Sequence, residues 1–288
     1  MSQEECLRGK GNLMVSHPII FSDLDGTLLD PETYSFFAAI PALELIKEEG
    51  IPLVLCSSKT RAEIEILRRR LGIRHPFVSE NGGGIFIPLS YFAEDDIRCV
   101  WPRAENINGY WVLILGTSYP ILREALEALR QNGFEVKGFG DMSAPEVAEI
   151  TGLSRKEAES AKRREFDEPF IFHGDEADLS TLLASVQKKG LRFTQGRLYH
   201  LMGNHDKGGA VDVLKLLYQR KYGNIITIAL GDSPADLPML EKVDYPIVVR
   251  NYRGEHDPMI ALPNLMRADG IGPEGWNKAV LEFIRKGF

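Results

Sequence analysis

The chain has 288 residues, of which 44% are hydrophobic and 26% are charged, and its formal net charge is −7 at pH 7. Its length fits one large domain or two unequal ones, and its composition is that of an ordinary globular protein. The acidic balance argues against a nucleic-acid partner. No apolar run approaches the roughly 20 residues that cross a membrane, and the three cysteines form no zinc-binding cluster.

Short apolar runs alternate with helical segments in the first part of the chain, after a polar tail over residues 1–16. This alternation predicts an α/β fold with parallel strands. Thr60 and Glu63 have the spacing of a capping box at a helix start. The predicted elements here are strands at 19–21, 53–56 and 77–78 and helices at 41–50 and 60–72.

From about residue 88 to about residue 200 the pattern changes to that of an α+β unit. Two further capping boxes, at Ser143 with Glu146 and at Ser154 with Glu157, predict helix starts there. The other predicted elements of this segment are strands at 111–115, 170–172, 191–193 and 198–202 and helices at 121–132 and 178–189.

The α/β alternation resumes near the C-terminal end, with predicted helices at 207–220 and 275–286 and predicted strands at 225–230 and 245–249. We therefore expect a Rossmann-like α/β core with a parallel sheet, interrupted by an inserted α+β domain. The expected division is a tail at 1–16, a core at 17–88 and 202–288, and the insertion at 89–201.

Polar residues directly follow three predicted strands: Asp23, Ser57 and Asp232. Ligand sites in open α/β sheets lie at the carboxyl ends of the strands, so these side chains are expected to meet at one sheet edge. A single aspartate in such a position is usually only a helix cap. The convergence of three polar side chains therefore carries the argument for a site.

The sequence Asp23-Leu24-Asp25-Gly26-Thr27 is the sharpest local signal. A carboxylate can attack phosphorus and form an aspartyl-phosphate, which makes Asp23 the expected nucleophile. Asp25 would then protonate the leaving oxygen and later deprotonate the hydrolytic water. The structural alternative is a plain Asp-Gly turn.

Asp232 and Asp236 add two carboxylates to the same sheet edge. Carboxylate and carbonyl oxygens select a hard cation, and Mg²⁺ in addition often binds a substrate phosphate. The expected Mg²⁺ ligands are Asp23, Asp232 and the backbone carbonyl of Asp25, with Asp236 as a ligand or an anchor. The alternative for residues 232–236 is a capped helix start.

Lys207 lies at a predicted helix start, where its charge opposes the helix dipole. Buried carboxylates and a phosphate would explain that placement, whereas the alternative is a hydrated surface lysine. Ser57 begins a hydroxyl-rich turn before a helix, and such turns bind phosphate or simply cap. A thiolate phosphatase is excluded at Cys56, because the sixth residue after it is Ala62 and not arginine.

Together these segments resemble the haloacid dehalogenase (HAD) superfamily of phosphohydrolases. Residues 23–27 look like its first motif, Ser57 its second, Lys207 its third, and Asp232 with Asp236 its fourth. The segment between Ser57 and Lys207 resembles the C2 cap of the Cof-type branch. This resemblance implies a Mg²⁺-dependent phosphatase whose inserted domain covers the phosphate site and selects the substrate.

A closer resemblance is to the mannosyl-3-phosphoglycerate phosphatases. It implies hydrolysis of mannosyl-3-phosphoglycerate to mannosylglycerate, a compatible solute, in the cytoplasm. The alternatives are another sugar phosphatase, for glucosyl-3-phosphoglycerate or sucrose phosphate, and a weakly active phosphosugar-binding module. The segments that carry the closer resemblance are 22–30, 56–60, 79–82, 151–154, 163–170, 195–197 and 272–276.

One position departs from the family pattern, because Ala235 stands where the fourth motif usually has asparagine. An alanine side chain donates no hydrogen bond, so a contact made there by asparagine must be lost or replaced. The charged groups of the motif remain, and we expect activity to be retained.

The substrate implied by this resemblance carries a phosphate, a carboxylate and a sugar, and a carboxylate is best bound by an arginine in a bidentate arrangement. Three arginines of the insertion are candidates for this contact, and Lys59 is a candidate from the core. The glutamate and asparagine among the candidates could instead hold a loop, and the neighbouring arginines could be a solvated helix end. The oligomeric state carries no expectation. The candidate substrate-binding residues are Lys59, Glu80, Asn81, Arg163, Arg164 and Arg197.

Overall fold

The computed structural model describes residues 16–195 and 198–287. The strands in these ranges are β1 (His17–Ser22), β2 (Leu53–Cys56), β3 (Phe77–Ser79), β4 (Gly84–Pro88), β5 (Glu105–Ile107), β6 (Tyr110–Ile114), β7 (Val136–Gly138), β8 (Asp167–Phe172), β9 (Arg192–Gln195), β10 (Tyr199–Met202), β11 (Ile225–Gly231), β12 (Tyr245–Arg250) and β13 (Met266–Ile271). The helices are α1 (Ile40–Glu48), α2 (Arg61–Leu71), α3 (Glu94–Val100), α4 (Tyr119–Gln131), α5 (Ala144–Thr151), α6 (Arg155–Ala161), α7 (Glu176–Lys188), α8 (Lys207–Tyr222), α9 (Leu237–Leu240) and α10 (Pro273–Lys286).

The larger sheet has the strand order β13-β12-β11-β1-β2-β3-β4-β6-β5. Its first six strands are parallel to their neighbours, with β1 at the centre between β11 and β2. Parallel neighbours need crossover connections, which contain helices in most cases, whereas β12 and β13 are joined by the loop 251–265. The predicted α/β core with a parallel sheet is confirmed.

Helices cover both faces of this sheet, which explains why its central strands are continuous apolar runs. On one face α8 contributes Leu214 and Tyr218 to a buried cluster. On the other face α1, α2 and α10 contribute Ile46, Ile64 and Trp276. Each fully buried side chain of this kind stabilises the fold by about 1.5–3 kcal/mol. The two clusters hold the strand ends in fixed positions.

The larger sheet continues beyond the expected core boundary at residue 88. After the parallel part, β4, β6 and β5 pair antiparallel, so the sheet includes the chain to Ile114. The expected insertion at 89–201 therefore starts too early, because the apolar run near residue 111 predicts a strand but not the strand with which it pairs. The smaller sheet and its helices occupy residues 119–202, which we call the cap.

The cap is an antiparallel sheet of order β7-β8-β10-β9 with helices packed against it. Leu126 from α4 and Leu182 from α7 bury against Phe170 of β8, and α5 and α6 share a smaller apolar cluster. The predicted α+β character of the inserted segment is therefore confirmed.

Local sequence signals located the helix starts well. All three predicted capping boxes form, and each helix begins at the residue after its Thr60, Ser143 or Ser154 cap. In contrast, α3 and β13 were not predicted, because both are largely polar and exposed and show no apolar periodicity. Every helix in the described part of the chain is too short or too polar to span a membrane.

Candidate active site

Three neighbouring strands of the larger sheet deliver the polar residues that the sequence places at their ends. Asp23 follows β1, Ser57 follows β2, and Asp232 follows β11. The Asp23 N–H donates to the carbonyl of Leu230 at 3.0 Å, which continues the pairing of β1 with β11. The sheet order therefore brings together side chains that are 175 or more residues apart in sequence (23 or 57 against 232).

The turn after Asp23 depends on a glycine. Gly26 has φ +82°, and a Cβ atom there would lie 2.5 Å from Oδ2 of Asp232. The next residue, Thr27, donates its hydroxyl to Oδ1 of Asp232 at 3.0 Å. Only glycine combines this backbone conformation with so close an approach, so the turn is fitted to the second carboxylate.

Lys207 is the buried cation of the site. Its ammonium donates to Asp23 Oδ1 at 2.5 Å and to Asp236 Oδ1 at 2.6 Å. Although burial acts to lower it, these carboxylates raise the pKa of Lys207 above its ordinary value. The two ion pairs account for a lysine at the first position of α8, where its charge opposes the helix dipole.

Asp23, Asp232 and Asp236 form a compact acidic cluster in which one ligand oxygen of each lies within 4.8 Å of the others. Burial and the neighbouring Asp236 raise the pKa of Asp23 to about 7, and the same two causes raise that of Asp232 to about 8. A divalent cation among these oxygens would favour their ionised forms. The donor set fits Mg²⁺, which prefers carboxylate oxygens.

Asp236 also shapes the loop that carries Asp232. Its Oδ2 accepts hydrogen bonds from the N–H groups of Asp232 and Ser233 and from the Ser233 hydroxyl, each at 3.1 Å. Ala235 lies in the same loop with its side chain exposed. Asp236 therefore anchors the loop, in addition to pairing with Lys207.

Asp25 is paired with a lysine from the second motif. Its Oδ2 lies 2.9 Å from Nζ of Lys59, whereas its Oδ1 is buried and accepts no hydrogen bond within the described residues. The Lys59 ammonium is also 5.0 Å from the ring centre of Tyr34. One oxygen of Asp25 is thus held in place and the other is left available.

Ser57 is buried at the end of β2, where its Oγ accepts the Lys59 N–H at 3.1 Å. This bond caps the turn before α2, as the structural alternative for this serine predicts. The turn is the means by which Lys59 reaches Asp25.

Glu80 and Asn81 lie beside the cap. The carboxylate of Glu80 is buried and accepts the N–H groups of Glu165, at 3.0 and 3.1 Å, and of Phe166, at 2.8 Å. Burial raises the pKa of Glu80 to about 8, against the opposing effect of Arg164. The geometry fits the loop-holding alternative for Glu80. Asn81 keeps a buried Oδ1 without a hydrogen-bond partner in the described residues.

The two neighbouring cap arginines have different surroundings. Arg164 is buried and donates to the carbonyl of Ser58 at 2.9 Å and to that of Ala161 at 2.7 Å, so it ties the cap to the turn that contains Ser57. Arg163 is exposed. The third arginine, Arg197, lies outside the described residues.

Sequence reasoning missed Thr27 and Tyr34 as members of the site. Thr27 stands inside the first motif, so its position was a usable signal. Tyr34 follows a turn started by Asp30-Pro31, which marks a loop but gives no indication of what the loop faces.

Comparisons with known proteins identify the family of this chain. The family model of haloacid dehalogenase-like hydrolases matches residues 20–98. A protein of Methanococcoides burtonii, named glucosyl-3-phosphoglycerate/mannosyl-3-phosphoglycerate phosphatase, is 46% identical over 270 residues, which are 93% of this chain and 97% of the relative. A protein of the same name from Persephonella marina is 41% identical over 271 residues, again 93% of this chain and 97% of the relative.

A solved structure with the same architecture is the sucrose-phosphatase of Synechocystis sp. PCC6803 in complex with sucrose and phosphate. It is 15% identical, with a TM-score of 0.60, and the match covers 94% of this chain and 99% of that one. At this identity the likeness concerns the fold, in which a HAD-type core carries a cap.

Proposed function

The chain belongs to the haloacid dehalogenase-like hydrolase family and is a phosphatase of sugar phosphates, and from this premise we propose that it hydrolyses mannosyl-3-phosphoglycerate and its glucosyl counterpart. The products are the glycosylglycerate and phosphate. The observation that carries the proposal is the 46% identity to a phosphatase named for both substrates, over 93% of this chain. The match therefore spans the cap as well as the core.

The proposed reaction has two steps. In the first, a carboxylate oxygen of Asp23 bonds to phosphorus, the bond from phosphorus to the ester oxygen breaks, and Asp25 gives its proton to that oxygen. In the second, a water oxygen attacks phosphorus, its proton passes to Asp25, and the bond between Asp23 and phosphorus breaks. Catalysis of this kind depends mainly on positioning and electrostatics.

The contacts of the two aspartates support these roles. Lys207 holds Oδ1 of Asp23, which leaves Oδ2 for the attack. Lys59 holds Oδ2 of Asp25, which leaves the unpaired Oδ1 to exchange a proton. Both nucleophile and acid are therefore oriented by a lysine at one oxygen only.

The charge balance of the site supports a divalent cation. Four aspartates (Asp23, Asp25, Asp232 and Asp236) face two lysines, Lys59 and Lys207, so the site holds two more carboxyl groups than ammonium groups. We propose that Asp23, Asp232, Asp236 and the backbone carbonyl of Asp25 hold Mg²⁺. When bound, the ion neutralises negative charge that develops on the transferred phosphoryl group.

The carboxylate of the substrate also needs a cation. In a glycosyl-3-phosphoglycerate it branches from the carbon next to the one that bears the phosphate ester, so it must lie close to the reacting phosphorus. Lys59 contacts the proposed acid Asp25 and is therefore a cation beside the proposed leaving oxygen. We propose that Lys59 binds the substrate carboxylate, and that Ser57 takes part through the turn it caps.

Phosphate release with Mg²⁺ tests the proposal on four compounds: mannosyl-3-phosphoglycerate, glucosyl-3-phosphoglycerate, 3-phosphoglycerate and sucrose phosphate. We expect the two glycosylated phosphoglycerates to give the highest kcat/KM. Fastest hydrolysis of sucrose phosphate would assign the chain to another sugar phosphate. Measurable binding of both glycosylated compounds without release of phosphate would support a binding module instead.

A further inference from the structure

A cavity of about 450 Å³ lies between the core and the cap, beside the acidic site. Its core walls are α2 and the loop after β1, and its cap wall is the start of α6. Lys59 lines the cavity and also contacts Asp25 at 2.9 Å, so this one side chain connects the cavity to the proposed acid. A group attached to the leaving oxygen can therefore extend into the cavity.

Tyr34 provides an aromatic wall of this cavity and has an unusual backbone. Its φ is +55°, a conformation that residues other than glycine seldom adopt and that is concentrated at functional sites. The turn that imposes it is fixed by Asp30, which accepts the Tyr34 N–H at 3.0 Å and donates its own N–H to Ser35 at 2.8 Å. The result is a ring that lies beside Lys59 and faces the cavity.

Two glutamates line the cavity from opposite sides. Glu63 belongs to the core and Glu157 to the cap, and each uses its Oε2 as the capping-box acceptor for Thr60 or Ser154. Oε1 of Glu63 lies 3.9 Å from Nζ of Lys59. Oε1 of Glu157 accepts no hydrogen bond from residues 16–195 or 198–287. The capping boxes therefore orient two carboxylates and leave one oxygen of each for a ligand.

Hexose chemistry matches this lining. The apolar C–H face of a pyranose packs against an aromatic ring, and its hydroxyl groups donate hydrogen bonds to carboxylate oxygens. In a glycosyl-3-phosphoglycerate, the sugar and the carboxylate leave the same carbon atom. A carboxylate at Lys59 therefore places the sugar next to Tyr34, within the cavity.

We propose that this cavity is the sugar subsite, in which Tyr34 packs against the hexose ring and Glu63 and Glu157 accept its hydroxyl groups. The proposal rests on the proposed function. Because Glu157 belongs to the cap, the subsite is complete only when the cap lies on the core, as it does where Thr60 Oγ1 donates to the Ser160 carbonyl at 3.0 Å. Sugar recognition and closure are thereby coupled.

The test compares kcat/KM for mannosyl-3-phosphoglycerate with kcat/KM for 3-phosphoglycerate, which lacks the sugar. Tyr34→Ala and Glu157→Gln are each expected to lower the ratio of the two by at least about tenfold, as loss of a substrate contact does. Tyr34→Phe is expected to keep the ratio within about threefold, because it preserves the ring. Phe37→Ala is the matched control, since Phe37 lies on the same loop with 72% of its side chain exposed.

The outcomes separate the subsite from the proposed function. If wild-type protein does not hydrolyse mannosyl-3-phosphoglycerate, the proposed function fails. If it does, and Tyr34→Ala leaves the ratio unchanged or lowers kcat/KM for both compounds equally, the sugar subsite is overturned. Thermal unfolding shows whether each variant folds. If Tyr34→Ala does not fold, the ratio of Glu157→Gln is compared with that of Tyr34→Phe, which keeps the ring.

Discussion

The two halves of the active site are built differently. Around Asp23 every group comes from the core, and Lys207 and Asp236 are almost completely buried and in direct contact. Around the cavity, Tyr34 and Lys59 come from the core whereas Glu157 comes from the cap and is exposed. In the proposed function, the chemistry therefore lies on core elements, and substrate selection lies at the joint between the core and the cap.

The strongest test of the part of the site around Asp23 is removal of the proposed nucleophile. Asp23→Asn keeps the size of the side chain but removes the carboxylate that attacks phosphorus, and we expect kcat to fall by about 10⁴-fold or more. Phosphate release gives the rate, and circular dichroism checks the fold. The control is Asp212→Asn, a partly exposed aspartate in α8 that pairs with Lys242 away from the site. Substantial turnover by Asp23→Asn would remove Asp23 from its role.

The buried lysine is expected to matter for stability as well as activity. Lys207→Met leaves Asp23 and Asp236 without their common partner, and such a loss costs about 3–5 kcal/mol. Denaturant unfolding without metal measures this cost, with Lys188→Met, an exposed lysine of α7, as the control. Equal stability of the two variants would show that the ion pairs of Lys207 with Asp23 and Asp236 contribute less to folding than their burial indicates.

Metal removal tests the part of the site around Asp23 separately from the cavity. We expect a chelator to abolish phosphate release and Mg²⁺ to restore it, because the acidic cluster around Asp23 is the proposed metal site. None of the residues of that cluster lines the cavity. Wild-type protein should gain about 2.7 kcal/mol of stability at a Mg²⁺ concentration 100 times the dissociation constant. Asp232→Asn should reduce that gain, whereas Glu157→Gln should leave it unchanged. Full activity without divalent cations would contradict the proposed site.

Glu80 offers a pH-dependent test of the contact between the core and the cap. Its pKa rises from 4.5 to about 8 on folding, so the folded state retains a proton that the unfolded state has lost. The stability that Glu80 contributes is complete below pH 4.5 and is lost as pH rises through about 8. Glu80→Gln removes this titration and provides only one acceptor for the two cap N–H groups.

The expected result is that the thermal stability of wild-type protein relative to Glu80→Gln falls between pH 5 and pH 9, because only wild-type Glu80 loses a proton in that range. The comparison cancels the titration of other groups. Glu149→Gln, at an exposed position on α5, should show no such trend. A wild-type stability that rises with pH relative to Glu80→Gln would indicate that Glu80 is ionised when it accepts the cap N–H groups.

The smallest effect is expected at the departure from the family pattern. Ala235→Asn restores the usual residue, but the position is exposed and Asp236 already anchors the loop. Surface changes of this kind alter free energies by about 0.5 kcal/mol or less, which is a two- to threefold change in kcat/KM. A gain of tenfold or more in kcat/KM would show that an asparagine side chain at this position contributes to the proposed chemistry around Asp23.

Much of this molecule could be predicted from its sequence. Apolar runs and capping boxes located the central strands and the starts of α2, α5 and α6, because those signals act between residues close in sequence. The placement of Asp23 and Asp232 at strand ends also followed from the pattern alone. The sequence pattern alone therefore indicates the proposed catalytic residues.

Only the tertiary structure decided which side chains share a space. It assigned Ile107 and Ile114 to the larger sheet, turned Glu80 towards the cap backbone, buried Arg164 against Ser58, and placed Tyr34 beside Lys59. A sequence specifies local conformation through neighbouring residues, but pairing partners and cavity walls come from segments far apart in the chain. The sequence by itself thus indicated the chemistry proposed at Asp23, and only the structure revealed the cavity proposed for the sugar.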